Sequence, residues 1–590
     1  MNFEAEAEPT ASLRVYKTRT TTRTTLAEGT FRAHEILKYE AGRPAESRAE
    51  WQPAEVLRSE ALTRVGPPGQ RFGYDVIAHV GLARFVRNLQ RKEIRGELLS
   101  EYGIPISTGS VSNLCDRFLS LLEALHLKRL PGHYAHAQQG YPLHLDATCE
   151  KGRGGLAVCM DGRRGWVLMA RRVPSEHHEH LRPLVNDTVA AFGDPIATMR
   201  DLGKAVGSAV QPLRERGIAD LVCHYHFARA VGTRLLEKPR ADLRRCGHDA
   251  FRVIRAQVSS LYRESMREVE RNARNPDKTG RVGVRESLLA LLLWLVEGQG
   301  RLAPFPFDVP EFELMRRGRC IARMADDHVA EPRNDQERTI LAEVMRLLHL
   351  LDAPDAVEAY QRCEQARLAF GELRAVLRLT NAQLPGHAES QQPELPAIDY
   401  QRLEEIEQAV KTYRQGLEQR VHREREGTRG NGRAPKTPDA IILSYLDTYQ
   451  LQLFGHPATY DDNGAVISVM DRTNNRLEQQ FGTDKRNLRR RLGKAHLARD
   501  MEQAPAAAAL VSNLRHPDYV RVLCGSIENL HRAFAEINPN GEFTRPALRS
   551  TPGNNVRKRI RKMLQDGVPV PAATPTSRPW IDPTPSPIPF

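Results

Sequence analysis

Three acidic residues, Asp146, Asp201 and Glu478, lie in segments that constrain the fold more than any other feature of the sequence. Asp146 lies in Pro142–Thr148, where alternating apolar and polar residues predict a β-strand. Asp201 ends a second strand-like run that starts at Ile196. Because open α/β sheets bind their ligands at the carboxyl ends of the strands, we expect the two aspartates to meet at that edge.

Glu478 closes the segment Thr473–Glu478, which opens a predicted helix rich in arginine and lysine. Three converging carboxylates supply the hard oxygen ligands that hold one or two Mg²⁺ ions over a phosphodiester. Taken singly, each acidic residue has a plainer interpretation as a solvated surface charge. The order and the context of all three favour a metal site for phosphoryl transfer.

The composition of the 590-residue chain limits the classes of partner and the cellular compartment that are expected for it. A formal net charge of +13 favours a polyanionic partner, most often nucleic acid, although a basic excess can also serve solubility alone. Eight cysteines without a C-x-x-C pair fit reduced thiols in a cytoplasm. No apolar run reaches the length of a membrane helix, and the N-terminus lacks the apolar core of a signal peptide.

Residues 66–135 predict a helix-turn-helix domain that binds DNA. Their apolar periodicity indicates successive helices over 76–86, 93–102 and 108–125. Ser110, Ser112 and Asn113 lie in the first turn of the last of these helices, where a recognition helix meets base edges. An ordinary three-helix bundle is the alternative that the same periodicity allows.

The segment that carries both aspartates alternates strands with helices. Its predicted strands cover 142–148, 156–160, 165–172, 195–201 and 220–223, and its predicted helices cover 176–192, 202–216 and 227–236. The longer segment 237–455 shows helical periodicity almost throughout. It is too long for a structureless loop, so it predicts an all-α domain inserted before Glu478.

The order of these residues resembles that of a known family. Asp146, Asp201, a Cys223-x-x-His226 motif and Glu478 follow one another as they do in the DDE transposases of bacterial insertion sequences. Members of that family with a helical insertion before the glutamate commonly carry a Cys-x-x-His motif after the second aspartate. The insertion matches only in its helical character, and the resembling stretches are His144–Glu150, Met199–Leu236 and Asp471–Gly493.

The resemblance implies a multidomain fold of the class α/β plus α, with an N-terminal helix-turn-helix region and an RNase H-like mixed sheet that carries a large all-α insertion. The predicted segments are a small N-terminal region (1–65), the helix-turn-helix domain (66–135), the first part of the catalytic core (136–236), the all-α insertion domain (237–455), the Glu-bearing part of the core (456–500), a basic C-terminal helical region (501–566) and a disordered tail (567–590). Short strands are expected at 31–39 and 51–57. Related transposases often begin with a cysteine-rich zinc ribbon. Since no cysteine precedes Cys115, a remnant of that ribbon in the first segment would be metal-free.

The same resemblance implies a DNA transposase that cleaves the ends of its element and joins the 3′-hydroxyls to target DNA. Asp146, Asp201 and Glu478 would be both the catalytic residues and the ligands of two Mg²⁺ ions, which Mn²⁺ can replace. The partner would be double-stranded DNA, bound by a homodimer or a larger assembly at the bacterial nucleoid in the cytoplasm, with no membrane involved. The alternatives are a catalytically inactive, domesticated DNA-binding regulator and a nuclease unconnected to transposition.

A dense basic run follows Glu478 on the same predicted helix. It indicates a track for the DNA backbone, although such a run is as often a solvated face. Its members are Lys485, Arg486, Arg489, Arg490 and Arg491. A second basic cluster lies between Arg545 and Lys562.

Two further groups have residue types that bind metals. Cys223 and His226 have the spacing of half a zinc site, but no second pair lies near them in sequence. A structural role beside the carboxylates is therefore the expected one. The tract 177–180, His-His-Glu-His, lies at the start of a predicted exposed helix, and we expect a solvated helix end there.

Overall fold

The computed structural model describes residues 1–4, 13–40, 56–135, 140–148, 155–273, 284–297, 303–328, 331–332, 334–379, 400–427, 437–460 and 466–538. The predicted basic cluster between Arg545 and Lys562 and the predicted tail 567–590 lie outside these ranges. Within them the chain is a mixed α/β protein in which helices predominate, as the coarse fold class predicts. None of the described helices is both long enough and apolar enough to cross a membrane.

The N-terminal region forms a small sheet around one long hairpin. Its strands are β1 (Asn2–Glu4), β2 (Leu13–Thr25), β3 (Gly29–Glu40) and β4 (Val56–Leu57), in the order β1-β3-β2 with β4 also paired to β3. The predicted strand at 31–39 is confirmed, and the described end of the one at 51–57 is β4. No strand is predicted for β2, because its run of threonines and arginines does not alternate polar with apolar residues.

Helices connect this sheet to the next one: α1 (Glu60–Val65), α2 (Tyr74–Gly81), α3 (Arg91–Tyr102) and α4 (Thr108–Ala135). α2 continues as a π-helical turn, Leu82–Val86. Gly103 ends α3 with a left-handed φ of 64°, where glycine carries no steric penalty. α4 runs past its predicted end at residue 125 because its last turns pack on the next sheet, where the Tyr134 hydroxyl donates to Asp161 Oδ2 at 2.7 Å.

A five-stranded mixed sheet lies at the centre of the chain. Its strands are β5 (Pro142–Thr148), β6 (Gly155–Asp161), β7 (Trp166–Val173), β8 (Ala197–Arg200) and β9 (Ala219–Val222), in the order β7-β6-β5-β8-β9. The pairs β5–β6 and β6–β7 are antiparallel, whereas β5–β8 and β8–β9 are parallel. The carboxyl ends of β5, β7, β8 and β9 therefore lie at one edge. Helices α5 (His178–Phe192) and α6 (Lys204–Glu215) follow β7 and β8, close to their predicted bounds.

The segment predicted as an all-α insertion is helical wherever it is described, apart from short connections. Its helices are α7 (His224–Ala273), α8 (Val284–Glu297), α9 (Pro310–His328), α10 (Asp335–His349), α11 (Pro354–Val376), α12 (Tyr400–Gly427) and α13 (Pro438–Leu453). α7 starts directly after β9 and continues as one helix from the predicted helix at 227–236 into the segment predicted as the all-α insertion. The insertion therefore begins as an extension of the helix that follows β9, the last strand of the central sheet.

The chain then returns to the central sheet. A hairpin of β10 (Ala458–Tyr460) and β11 (Val466–Val469) leads into α14 (Asn475–Leu492), which carries Glu478 in its first turn. The described end consists of α15 (Ala498–Gln503), a 3₁₀ segment (Ala506–Arg515), α16 (Pro517–Cys524) and α17 (Leu530–Ile537).

Two hydrophobic cores divide the central sheet between them. One core joins α2–α4 to β5–β7, α5, α6, the buried face of α14 and the C-terminal segment 507–537. The other joins β8 and β9 to the helices of the insertion. Residues 66–135 thus share the core of the sheet and have no separate hydrophobic core of their own in the described chain.

Candidate active site

The register of two parallel strands sets the first two carboxylates side by side. β5 and β8 pair Leu143 with Thr198 and His144 with Met199. Two residues further along each chain, the same register brings Asp146 opposite Asp201. Paired strands lie about 4.8 Å apart, so both side chains start from neighbouring positions at the same sheet edge.

Main-chain donors orient both aspartates. The Ala147 N–H donates to Asp146 Oδ1 at 2.7 Å, and the Gly203 N–H donates to Asp201 Oδ1 at 2.9 Å. Both residues are half-buried. Although part of Asp146 is accessible, its carboxyl group is crowded by protein, and burial raises its pKa well above the usual range, with the negative charge of Asp201 adding to the effect.

Glu478 faces these aspartates from the first turn of α14. Burial raises the pKa of its carboxyl to about 7; the positive charge of Arg229 opposes that rise and the negative charge of Asp201 adds to it. Glu478 also raises the pKa of Asp146, so the three predicted carboxylates lie within one another's electrostatic reach.

The Cys223-x-x-His226 motif holds the helix start against the sheet. The Asn474 N–H donates to Cys223 Sγ at 3.3 Å, and the His224 N–H donates to the Arg472 carbonyl at 3.0 Å. Burial raises the pKa of the Cys223 thiol to about 12, so the sulfur stays protonated at neutral pH. These bonds fasten the residues before α14 to the end of β9, which supports the structural role expected for the motif.

A buried amide completes this junction. Asn474 is fully buried, and its Oδ1 lies 3.0 Å from His144 Nδ1 on β5. Its Nδ2 donates to the Leu145 carbonyl at 3.5 Å. Asn474 is the N-cap residue of α14, but its side chain makes no capping hydrogen bond. The amide therefore joins the Glu478 helix to the strand that carries Asp146.

His226 lies directly beside the third carboxylate. Its Nε2 is 3.1 Å from Glu478 Oε1, yet that oxygen has no hydrogen-bond partner of good geometry among the described residues. Burial lowers the pKa of His226, while Asp201 opposes the shift. The neutral imidazole can donate from Nε2 after a small rotation, so it can orient the ionised Glu478 without supplying a full positive charge.

A fourth carboxylate, Glu176, lies at the same edge and was not identified from the sequence. It follows β7, whose carboxyl end lies on the same side as that of β5. Burial and then Asp201 raise its pKa, and its charge raises that of Asp146 in turn. The available signal was an acidic residue in a strand-to-helix connection. His177 and Glu179 are exposed at the start of α5, as expected for a solvated helix end, and the ligand atoms of His177, His178 and Glu179 lie within 4.8 Å of one another.

The residues predicted to contact bases lie at the exposed start of α4. Asn113 is exposed, and Ser110 Oγ is 3.0 Å from Ser107 Oγ. Ser112 Oγ donates to the Thr108 carbonyl at 3.2 Å and accepts from Arg91 Nη1 at 2.9 Å. Asn113 is therefore the most accessible of the three predicted residues.

The basic run on α14 divides between two faces. Arg486 and Arg490 are exposed, whereas Lys485 and Arg489 are half-buried. The Arg491 guanidinium stacks over the Phe85 ring at 5.1 Å, and burial lowers its pKa to about 10. This packing corrects the prediction of Arg491 as a DNA contact. The physical reason is helical periodicity, because Arg491 lies on the face that also buries Leu477 and Phe481.

Comparisons with known proteins assign no family to this chain. No model of a known protein family matches the chain, and a search of curated proteins finds no match either.

Proposed function

We propose that this chain is a DDE-type DNA transposase that cuts the ends of a mobile element and joins the 3′-hydroxyls to target DNA. The observation that carries the proposal is the convergence of Asp146, Asp201 and Glu478 from three separate elements at one sheet edge. The order β7-β6-β5-β8-β9, with three antiparallel strands followed by two parallel ones, supports an RNase H-like core.

The residues of this edge fit a divalent cation. The raised pKa values of Asp146 and Glu478 show that burial and mutual repulsion disfavour their charged forms. A cation would relieve that repulsion, and carboxylate oxygens are the ligands that Mg²⁺ and Mn²⁺ prefer. When bound, the metal would lower the pKa of the attacking water or hydroxyl and stabilise charge on the leaving oxygen.

The protein's own contribution is to hold these oxygens in place. Main-chain N–H groups fix Asp146 and Asp201, and the junction of Cys223 with Asn474 fixes the helix that presents Glu478. Because one ligand comes from a helix that follows the whole insertion, the site forms only when the insertion returns the chain to the sheet. The arrangement ties catalysis to the folded state of the entire core.

The DNA would approach from the surfaces that carry exposed polar and basic residues. Asn113 at the start of α4 is available for base edges, and Arg486 and Arg490 on α14 are available for phosphates. Arg486 and Arg490 lie on the same helix as Glu478, which would align the DNA backbone with the carboxylates.

The test uses the full chain and plasmid DNA that carries the sequences flanking its gene. We expect strand breaks with free 3′-hydroxyls and joined products in Mg²⁺ or Mn²⁺, and no products in a chelator. Asp201→Asn should remove both activities, while Asp187→Asn, an exposed aspartate of α5 paired with Arg171, should leave them unchanged. Cleavage by Asp201→Asn at the wild-type rate would refute the assignment. Specific end binding without any cleavage by the wild type would instead indicate a regulator.

A further inference from the structure

An open cleft of about 420 Å³ leads away from Asp201 along the first turns of α7. His226 lies at its near end and Glu237 at its far end, with Arg229 and Arg234 between them. At 1.5 Å of rise per residue, this part of α7 spans about 16 Å. The cleft is therefore long enough to follow a chain of several linked groups outward from the carboxylates.

Two exposed arginines line the cleft without an ion-pair partner of their own among the described residues. Arg229 and Arg234 are exposed, and neither forms an ion pair with another residue in the described ranges. Arg229 lowers the pKa of Glu478, so its charge acts on the carboxylate site itself. The one acidic residue beyond the site, Glu237, bounds the positive stretch at its outer end.

An aromatic ring from another helix also lines the cleft. Tyr445 of α13 lines the cleft and is half-buried, with its ring held 6.4 Å from that of Phe227 and 6.3 Å from that of Tyr449. These neighbours fix the ring but leave part of it accessible. A fixed aromatic ring beside two exposed arginines that form no ion pair within the described chain is the combination that binds an unpaired strand, because a base stacks on the ring while phosphates contact the cations.

We propose that this cleft binds the single-stranded DNA that adjoins the scissile phosphate, with Arg229 and Arg234 on successive phosphates and Tyr445 stacked on an unpaired base. The proposal rests on the proposed function for the identity of the polymer and for the direction of the strand. It adds that the substrate is opened locally before cleavage, because a paired base could not reach the Tyr445 ring.

The experiment measures binding, so that it does not depend on catalysis. The full chain is titrated in a chelator with a fluorescent oligothymidylate of about 15 nucleotides, and separately with a duplex of the same length. The variants are the double substitution Arg229→Gln with Arg234→Gln, and Tyr445→Ala beside Tyr445→Phe. The control is Arg338→Gln with Arg521→Gln, which removes two exposed arginines that pair with acids of their own helices.

We expect the cleft double variant to bind the single strand about tenfold more weakly and to flatten the slope of log affinity against log salt by about 1.4, or 0.7 for each lost phosphate contact. Tyr445→Ala should lose about tenfold, and Tyr445→Phe should retain wild-type affinity, because stacking needs only the ring. The control pair should bind as the wild type does. Thermal melting confirms that each variant is folded.

Wild-type affinity of the cleft double variant for the single strand would overturn the inference. An equal loss of affinity for the duplex would also overturn it, because the arginines would then bind the DNA backbone in general. Failure of the two proposals is distinguishable. Normal cleavage with no effect of these variants on single-strand binding refutes the cleft alone. Cleft-dependent binding without metal-dependent cleavage by the wild type supports the cleft and refutes the transposase proposal.

Discussion

Asp161 and Asp146 lie on neighbouring strands of one sheet, and their surroundings differ in kind. Asp161 is fully buried and accepts hydrogen bonds from the Tyr134 hydroxyl at 2.7 Å and from Arg164 Nη1 at 3.0 Å. Main-chain N–H groups of Arg163 and Arg164 donate to its other oxygen. Asp146 receives one main-chain bond and otherwise faces the negative charges of Asp201 and Glu478.

The difference separates a structural carboxylate from a functional one. Removing one partner of a buried charge pair is strongly destabilising, because the other charge is left without compensation, whereas removing one of several repelling carboxylates relieves a cost that persists until a cation binds them. The buried pair of Arg200 with Asp220, joined at 2.8 Å and 2.9 Å, belongs to the structural kind. Substitutions of the two kinds of carboxylate should therefore have opposite effects on stability and on DNA cleavage.

The largest expected effect is on catalysis at the functional carboxylates. Asp146→Asn should slow metal-dependent DNA cleavage by at least about a thousandfold, because a metal ligand and its charge are lost. In metal-free buffer the same variant should be as stable as the wild type or more stable, since repulsion with Asp201 is relieved. Cleavage kinetics and thermal melting measure the two effects. A large loss of stability in Asp146→Asn would show that Asp146 is a structural carboxylate like Asp161.

Asp161→Asn should show the reverse pattern. Removing the charge leaves Arg164 without its buried partner, so the free energy of unfolding should fall by about 3 kcal/mol. The folded fraction should cleave DNA at close to the wild-type rate, because Asp161 lies near the opposite edge of the sheet from the site. Chemical denaturation measures the stability. An unchanged denaturation midpoint would show that Asp161 does not have the structural role assigned to it.

The stability of the metal-free protein should depend on pH through Glu478, whose side chain is 21% exposed. Its pKa rises from 4.5 in the unfolded chain to about 7 in the folded one, so the folded state binds the proton more tightly. The associated stability is present below about pH 4.5 and is lost as pH rises through about 7, which amounts to about 3 kcal/mol without metal.

Unfolding of the metal-free wild type and of Glu478→Gln should be compared between pH 5 and pH 8. The difference in stability between them should change across this window in favour of the variant at higher pH. Addition of Mg²⁺ should stabilise the wild type most at the high end, because the metal competes with the proton. A difference that is constant with pH would show that Glu478 titrates normally.

The smallest expected effects separate the two faces of α14. Arg486→Gln with Arg490→Gln should flatten the salt dependence of duplex binding by about 1.8, or 0.9 for each phosphate contact, without a change in stability. Arg491→Gln should instead lower the free energy of unfolding by about 1 kcal/mol, because its stacking on Phe85 is lost. If Arg491→Gln alters the salt dependence and not the stability, its assignment to the packed face is wrong.

Local sequence patterns predicted much of the central sheet and three of the acids at its edge. β5 has the predicted bounds, and the other four strands differ from prediction by one or two residues, because their apolar runs are short and end at turn residues. The pattern failed where a neighbour distant in sequence decides the outcome. α4 extends to Ala135 because its last turns pack on the sheet, and β2 forms by pairing with β3 despite its polar composition.

Periodicity and turn signals are properties of adjacent residues, so local patterns in the sequence suffice to place particular residue types at strand ends and helix starts. Which of these residues come into contact depends on the tertiary fold. The β5–β8 register sets Asp146 beside Asp201, the contact of Asn474 with Cys223 brings Glu478 back across the insertion, and Glu176 joins them from β7. It also decided that Arg491 packs inward. Burial and the distances between charged groups depend on contacts between segments that are far apart in sequence, and local sequence patterns carry no information about those contacts.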